Sequence, residues 1–141
     1  MTPGSAHRAV TINRVAPGRY TARNARGGEI AFGTADDTGF SPTELLLAAI
    51  GGCTAIDVDI LTSRRAEPDS FEVTVGAEKV RDSSDSHLAD ITVTFRLRFP
   101  DNAGGDEARA ILPDVVRKSH DRLCIVGRTV ERGTPIATSI A

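Results

Sequence analysis

The sequence predicts an α+β fold, and three observations carry that expectation. Short alternating stretches fill the first quarter, a long apolar helix follows, and a second pair of alternating runs precedes a helical C-terminal region. Strands are thus grouped between helices, unlike the strict strand–helix alternation of a doubly wound parallel sheet. At 141 residues the chain is expected to form a single domain over residues 1–141, long enough to bury a core.

Each element has a local cause. "RAVTINRV", "GRYTARNA" and "GGEIAFGT" read as short strands, separated at Pro17-Gly18 and Gly27-Gly28, residue pairs suited to tight turns. "ADDTGF" is a polar loop leading to a strong helix start. Ser41 caps, Pro42 takes the first helical position, and Glu44 completes a Ser-x-x-Glu capping box. From Leu45 the helix is apolar on nearly every side, the mark of an element buried on most sides rather than lying on the surface. It is expected to run to about Ser63, before the charged "RRAEPDS".

"FEVTVGAEKVR" and "ADITVTFRLRF" alternate, and "DSSDSH" between them predicts an antiparallel hairpin. "DEARAILPDVVRKSHDRLC" has a helical pattern, with Pro113 expected to kink or restart it. The tail "GTPIATSIA" reads as a last strand. One small antiparallel sheet leaves much of an all-round apolar helix uncovered. A second copy of the chain would cover it, so a homodimer with this helix at its centre is expected.

Composition removes several function classes. The net charge is −2 with acids and bases interspersed, and aromatic content is 4% with no Trp. Neither fits a nucleic-acid binder, which shows a clustered basic face. The opening "MTPGSAHRAVTINRV" lacks the basic and apolar regions of a signal peptide. The uncharged apolar run Leu45 to Ile56 is closed by Asp57 and Asp59, short of the ~20 residues a bilayer span needs. A cytoplasmic protein without membrane contact is expected. Its two cysteines form no Cys-x-x-Cys pair and His7, His87 and His120 are scattered, so neither a zinc site nor a cofactor is expected.

Cys53 and Cys124 leave two readings: inert core thiols, or a redox pair assembled by the fold. A reactive thiol needs positive charge nearby, because an ordinary cysteine has a pKa of about 8.5. Cys53 lies roughly three turns into its helix, beyond the reach of the helix dipole. Asp57, one turn later on the same face, would oppose thiolate formation. An arginine from elsewhere is therefore required. Gly51 and Gly52 each cost the helix ~1 kcal/mol relative to alanine, consistent with close helix approach at a dimer interface, with a recess beside the sulfur, or with both. Cys124 follows a helical segment in which His120 stands four residues earlier; a solvated His120 is the simpler expectation.

"SPTELLLAAIGGCTAIDVDIL", followed some seventy residues later by "KSHDRLCIVGRTV", resembles the OsmC/Ohr family of thiol-dependent peroxidases, and most closely its less characterised OsmC-like branch. The resemblance implies an OsmC-like fold with antiparallel sheets around long central helices, in an intertwined homodimer with active sites at the subunit interface. Carried over, Cys53 attacks a hydroperoxide and becomes sulfenic acid, Cys124 condenses with it to a disulfide, and a dithiol reductant resets the pair. The family's activating arginine best matches Arg19 in "PGRY", with Arg26 in "ARGG" as the second candidate. The glutamate that directly follows the helix-start proline in organic hydroperoxide members is Thr43 here, and the acid stands at Glu44, the candidate arginine partner. Relative to Cys53, position 43 is rotated by roughly 80° and position 44 lies on about the opposite face. The family's Cys-Pro at the second cysteine is Cys124-Ile125 here.

Two functions follow from different classes. One is an antioxidant oxidoreductase of the oxidative stress response, reducing small apolar organic hydroperoxides through Cys53 and Cys124. The other is an OsmC-like dimer that binds a small ligand or senses oxidants without efficient turnover. A dimer with two inert core thiols is the remaining, purely structural reading.

Overall fold

A computed structural model of the chain describes residues 4–141. Three strands, β1 (Val10–Ala16), β2 (Arg19–Asn24) and β3 (Glu29–Gly33), precede the long helix α1 (Pro42–Ser63). Strands β4 (Ser70–Arg81) and β5 (Ser86–Arg98) follow, then helices α2 (Ala103–Lys118) and α3 (Ile125–Glu131), joined by a five-residue π-turn, Ser119–Leu123. The chain divides into two compact units, one ending at Leu46 and one beginning at Leu47.

In the first unit β1, β2 and β3 form an antiparallel sheet in sequence order. Gly18 and Gly27 both adopt positive φ, at 70° and 91°, where a side chain is disfavoured. Tyr20 stacks on its cross-strand partner Phe32 with ring centroids 5.7 Å apart. β1 is almost wholly exposed, including Val10, Ile12 and Val15. The capping box forms as the sequence predicts: Ser41 N–H donates to Glu44 Oε1 at 2.9 Å, and Glu44 N–H donates to Ser41 Oγ at 3.2 Å.

In the second unit β4 and β5 make the expected hairpin. One face is more covered than the other, with Phe71, Val73 and Val75 opposite Leu97, Phe95 and Val93. The ladder slips between Gly76 and Glu78, the irregularity of a β-bulge. α1 crosses this apolar face closely. A Cβ at Gly51 would collide with Val75 Cγ2 and lie 3.6 Å from Val73 Cγ1, whereas one at Gly52 would meet nothing within 4 Å. Of the two glycines, Gly51 is the one that admits the hairpin.

At 22 residues α1 is also long and apolar enough, by length and composition, to cross a membrane. On it Ile50, Val58 and Thr62 are buried, and the Thr62 hydroxyl donates to Val58 O at 2.8 Å. Ile56 and Ile60 remain exposed.

Two expectations are corrected. Pro113 does not restart the helix: α2 runs from Ala103 to Lys118 through it, and the proline is exposed, where the carbonyl freed by its missing N–H can be hydrated. The tail is not a strand: α3 occupies 125–131, and 134–141 are irregular and exposed. "GTPIATSIA" has strand-like residues, but among the described residues no neighbouring strand pairs with them.

Candidate functional site: a pair of thiols on one helix and one turn

The second unit brings Cys53 and Cys124 together although they are far apart in sequence. Cys53 is half-buried on α1 and Cys124 is 3% exposed at the start of α3. Both are free thiols. The turn that delivers Cys124 is built locally. Cys124 N–H donates to Ser119 O at 2.9 Å, closing the π-turn, and Cys124 then takes an extended conformation as the N-cap of α3. Its Sγ accepts from Gly127 N–H at 3.3 Å.

Burial pushes the Cys124 thiol above its ordinary pKa, and the Gly127 N–H pulls it partly back. The neighbouring Cys53 thiol and the Asp57 carboxylate push it up again. Asp57, the acid foreseen beside Cys53, thus acts on Cys124.

A buried polar chain lies beside the thiols. Thr54 Oγ1 and Ser119 Oγ are 2.6 Å apart, and the Ser119 hydroxyl donates to Asp57 Oδ2 at 2.7 Å. Because that donation uses the only Ser119 hydroxyl hydrogen, Thr54 is the donor in the first bond. Ser119 is fully buried and Thr54 is 7% exposed. Sequence reasoning missed Thr54 and Ser119. Their types are common on surfaces, and 65 residues separate them.

An apolar cleft of about 430 Å³ opens beside Cys124, lined among others by Ile50, Ile91, Val93, Phe95 and Val116. His120 and Glu131 stand on its wall with Nε2 and Oε1 3.0 Å apart, and His120 Nδ1 is 2.8 Å from Asp121 Oδ1. The Asp121 contact, with Glu131, raises the His120 pKa against a smaller opposing effect of burial. His120 is exposed, as expected, but it is ion-paired rather than merely solvated.

The other candidates lie in the first unit. Arg19 pairs with Asp37, whose pKa is lowered by the Gly39 N–H and then by the arginine. Arg26 donates its backbone N–H to Asn24 Oδ1 at 3.0 Å. Glu44 is engaged in the capping box.

The OsmC-like protein family matches residues 34–139. The chain belongs to the OsmC-like family. An uncharacterised protein of Mycobacterium tuberculosis is 27% identical over 126 residues, covering 89% of this chain and 90% of its own. An OsmC-like protein of unknown function from Vibrio cholerae has the same fold, with a TM-score of 0.72 at 11% identity, over 90% of this chain and 95% of that one. An organic hydroperoxide resistance protein of Bacillus subtilis superposes less well, with a TM-score of 0.52 at 20% identity, over 88% and 90% of the two chains. The chain therefore stands nearer the uncharacterised OsmC-like proteins, and its α+β OsmC-like fold agrees with the sequence expectation.

Proposed function

We propose that this OsmC-like protein is a cytoplasmic thiol-dependent peroxidase for small apolar organic hydroperoxides, working as a homodimer. The observation that carries the reading is that Cys53 and Cys124, the only two cysteines of the chain, are neighbouring free thiols. The Cys53 thiolate attacks the terminal peroxide oxygen, the O–O bond breaks, and the alkoxide takes a proton to leave as alcohol. Cys53 is left as sulfenic acid. The Cys124 sulfur then attacks the Cys53 sulfur. The S–O bond breaks and the hydroxide leaves as water with the Cys124 proton. A dithiol reductant restores both thiols by exchange and becomes a disulfide itself.

Arg19 is the proposed cation that lowers the Cys53 barrier, with Arg26 as the second candidate. Glu44 contributes by starting the helix through its cap. The apolar lining of the cleft beside Cys124 suits an alkyl chain better than hydrogen peroxide. Dimerisation is supported by the exposed apolar residues of α1, Ile56 at 61% and Ile60 at 51%, and of β1, Val10 at 66%.

The test is one equivalent of tert-butyl hydroperoxide added to the reduced protein, with free thiols and intact mass followed in time. The expected result is rapid loss of both thiols and a mass lower by about 2 Da, while Cys124→Ser stops at a sulfenic acid about 16 Da heavier. Thiols that survive a large peroxide excess would sink the reading. The cleft beside Cys124 favours a second one, a ligand-binding or redox-sensing dimer. That reading gains if the disulfide forms but no dithiol sustains turnover.

A further inference from the structure

We propose that Ser119 and Asp57 are positioning residues of the thiol pair: a buried latch that holds the Cys124 turn on the face of α1 that carries Cys53. Asp57 stands one helical turn after Cys53, so the two share a face. Ser119 opens the π-turn, and its carbonyl accepts from the Cys124 N–H at 2.9 Å. One residue therefore grips both sides. Its backbone holds Cys124, while its hydroxyl donates to Asp57 at 2.7 Å and accepts from Thr54, the residue after Cys53. Every member of this chain is satisfied, since the described residues contain no buried side-chain polar atom without a partner. Thr54 and Ser119 are buried and Asp57 is half-buried, and a bonded network of this kind favours one geometry, because leaving a buried member unpaired costs its desolvation.

The carboxylate adds a second effect. Burial does most to disfavour a negative charge on Cys124, and the Asp57 charge adds to it in the same direction. The other groups around Cys124 are Cys53 on α1, the Gly127 N–H on α3, and the His120–Glu131 pair on the wall of the shared cleft. β5 brings only apolar side chains to that cleft, Ile91, Val93 and Phe95 among them. Under the peroxidase reading, on which this consequence rests, the order of reaction follows. Cys53 meets the oxidant first, and Cys124 gives up its proton only on closing the disulfide.

The test needs no peroxide, so its failure is distinct from failure of the peroxidase reading. In a Cys53→Ser background, thiolate absorbance of Cys124 is followed against pH. Asp57→Asn is expected to move its ionisation to lower pH, while Asp59→Asn, on an exposed position of the same helix, leaves it in place. With both cysteines present, the disulfide is equilibrated against dithiothreitol. Ser119→Ala is expected to lower its equilibrium constant about tenfold, with Asp57→Ala taking its place if Ser119→Ala does not fold. An unmoved ionisation in Asp57→Asn overturns the proposal. So does an unmoved disulfide equilibrium, since a merely structural hydroxyl would lower the melting temperature and leave that equilibrium alone.

Discussion

The two stretches that carry the thiols use the same residue types in opposite ways. In "GGCTAID" the cysteine is half-buried in the middle of a 22-residue helix, where backbone N–H groups are already committed to the helix ladder. In "CIVG" the cysteine caps a seven-residue helix and its sulfur takes a free N–H from Gly127. Glycine serves close approach in the first, where Gly51 admits Val75. In the second the sulfur sits 3.4 Å from where a Gly127 Cβ would be. The Cys124 sulfur has a hydrogen-bond donor and nevertheless a raised pKa, because burial outweighs the donor. Position within a helix therefore says little about a thiol until its burial and its neighbours are known.

The sharpest way to break this comparison is to remove each sulfur in turn. Under the proposed function Cys53→Ser lowers the rate of the first oxidation by more than about a hundredfold, whereas Cys124→Ser leaves it within about threefold. Stopped-flow mixing with tert-butyl hydroperoxide reads both. Equal losses in the two variants would erase the distinction between the stretches.

The glycines separate next. Gly51→Ala is expected to destabilise the fold by about 1–3 kcal/mol, because its Cβ drives into Val75. Gly52→Ala meets open space and is expected to stabilise by up to about 1 kcal/mol through helix propensity. Urea unfolding measures each. If the parent sediments as the proposed dimer, a Gly52→Ala protein that sediments as a monomer would instead place a second subunit against that face.

The smallest effect concerns the wall of the cleft. The His120 pKa is raised by Asp121 and Glu131, so its contribution to stability is complete below about pH 6.5 and is lost as pH rises through the higher folded value. With a side chain 65% exposed, the effect is modest, about 1–2 °C in melting temperature. His120→Gln should flatten that dependence, and a pH profile identical to the parent would exclude the His120 contacts with Asp121 and Glu131 as its source.

How much of this was legible from residues alone follows from the range of each interaction. The capping box of Ser41 and Glu44, the hairpin around "DSSDSH" and the turns at Gly18 and Gly27 depend on residues within a few positions of one another. The same residues that announce them also make them. α3 was missed because a seven-residue helix has little periodicity, and its start is signalled by a cysteine instead of a usual cap residue. The tail "GTPIATSIA" was misread because strand propensity means little without a partner strand.

By itself the sequence determined the order of elements from β1 to α2, the length of α1, the family, and the candidacy of Cys53 and Cys124. Tertiary structure alone decided that the two sulfurs meet, that Ser119 links the Cys124 turn to Asp57, and that Gly51 rather than Gly52 receives the hairpin. The physical reason is distance along the chain. Residues 62 to 65 positions apart, such as Asp57, Thr54 and Ser119, leave no local pattern. Only the packing of α1 against the end of α2 brings their hydroxyls and carboxylate into one buried network.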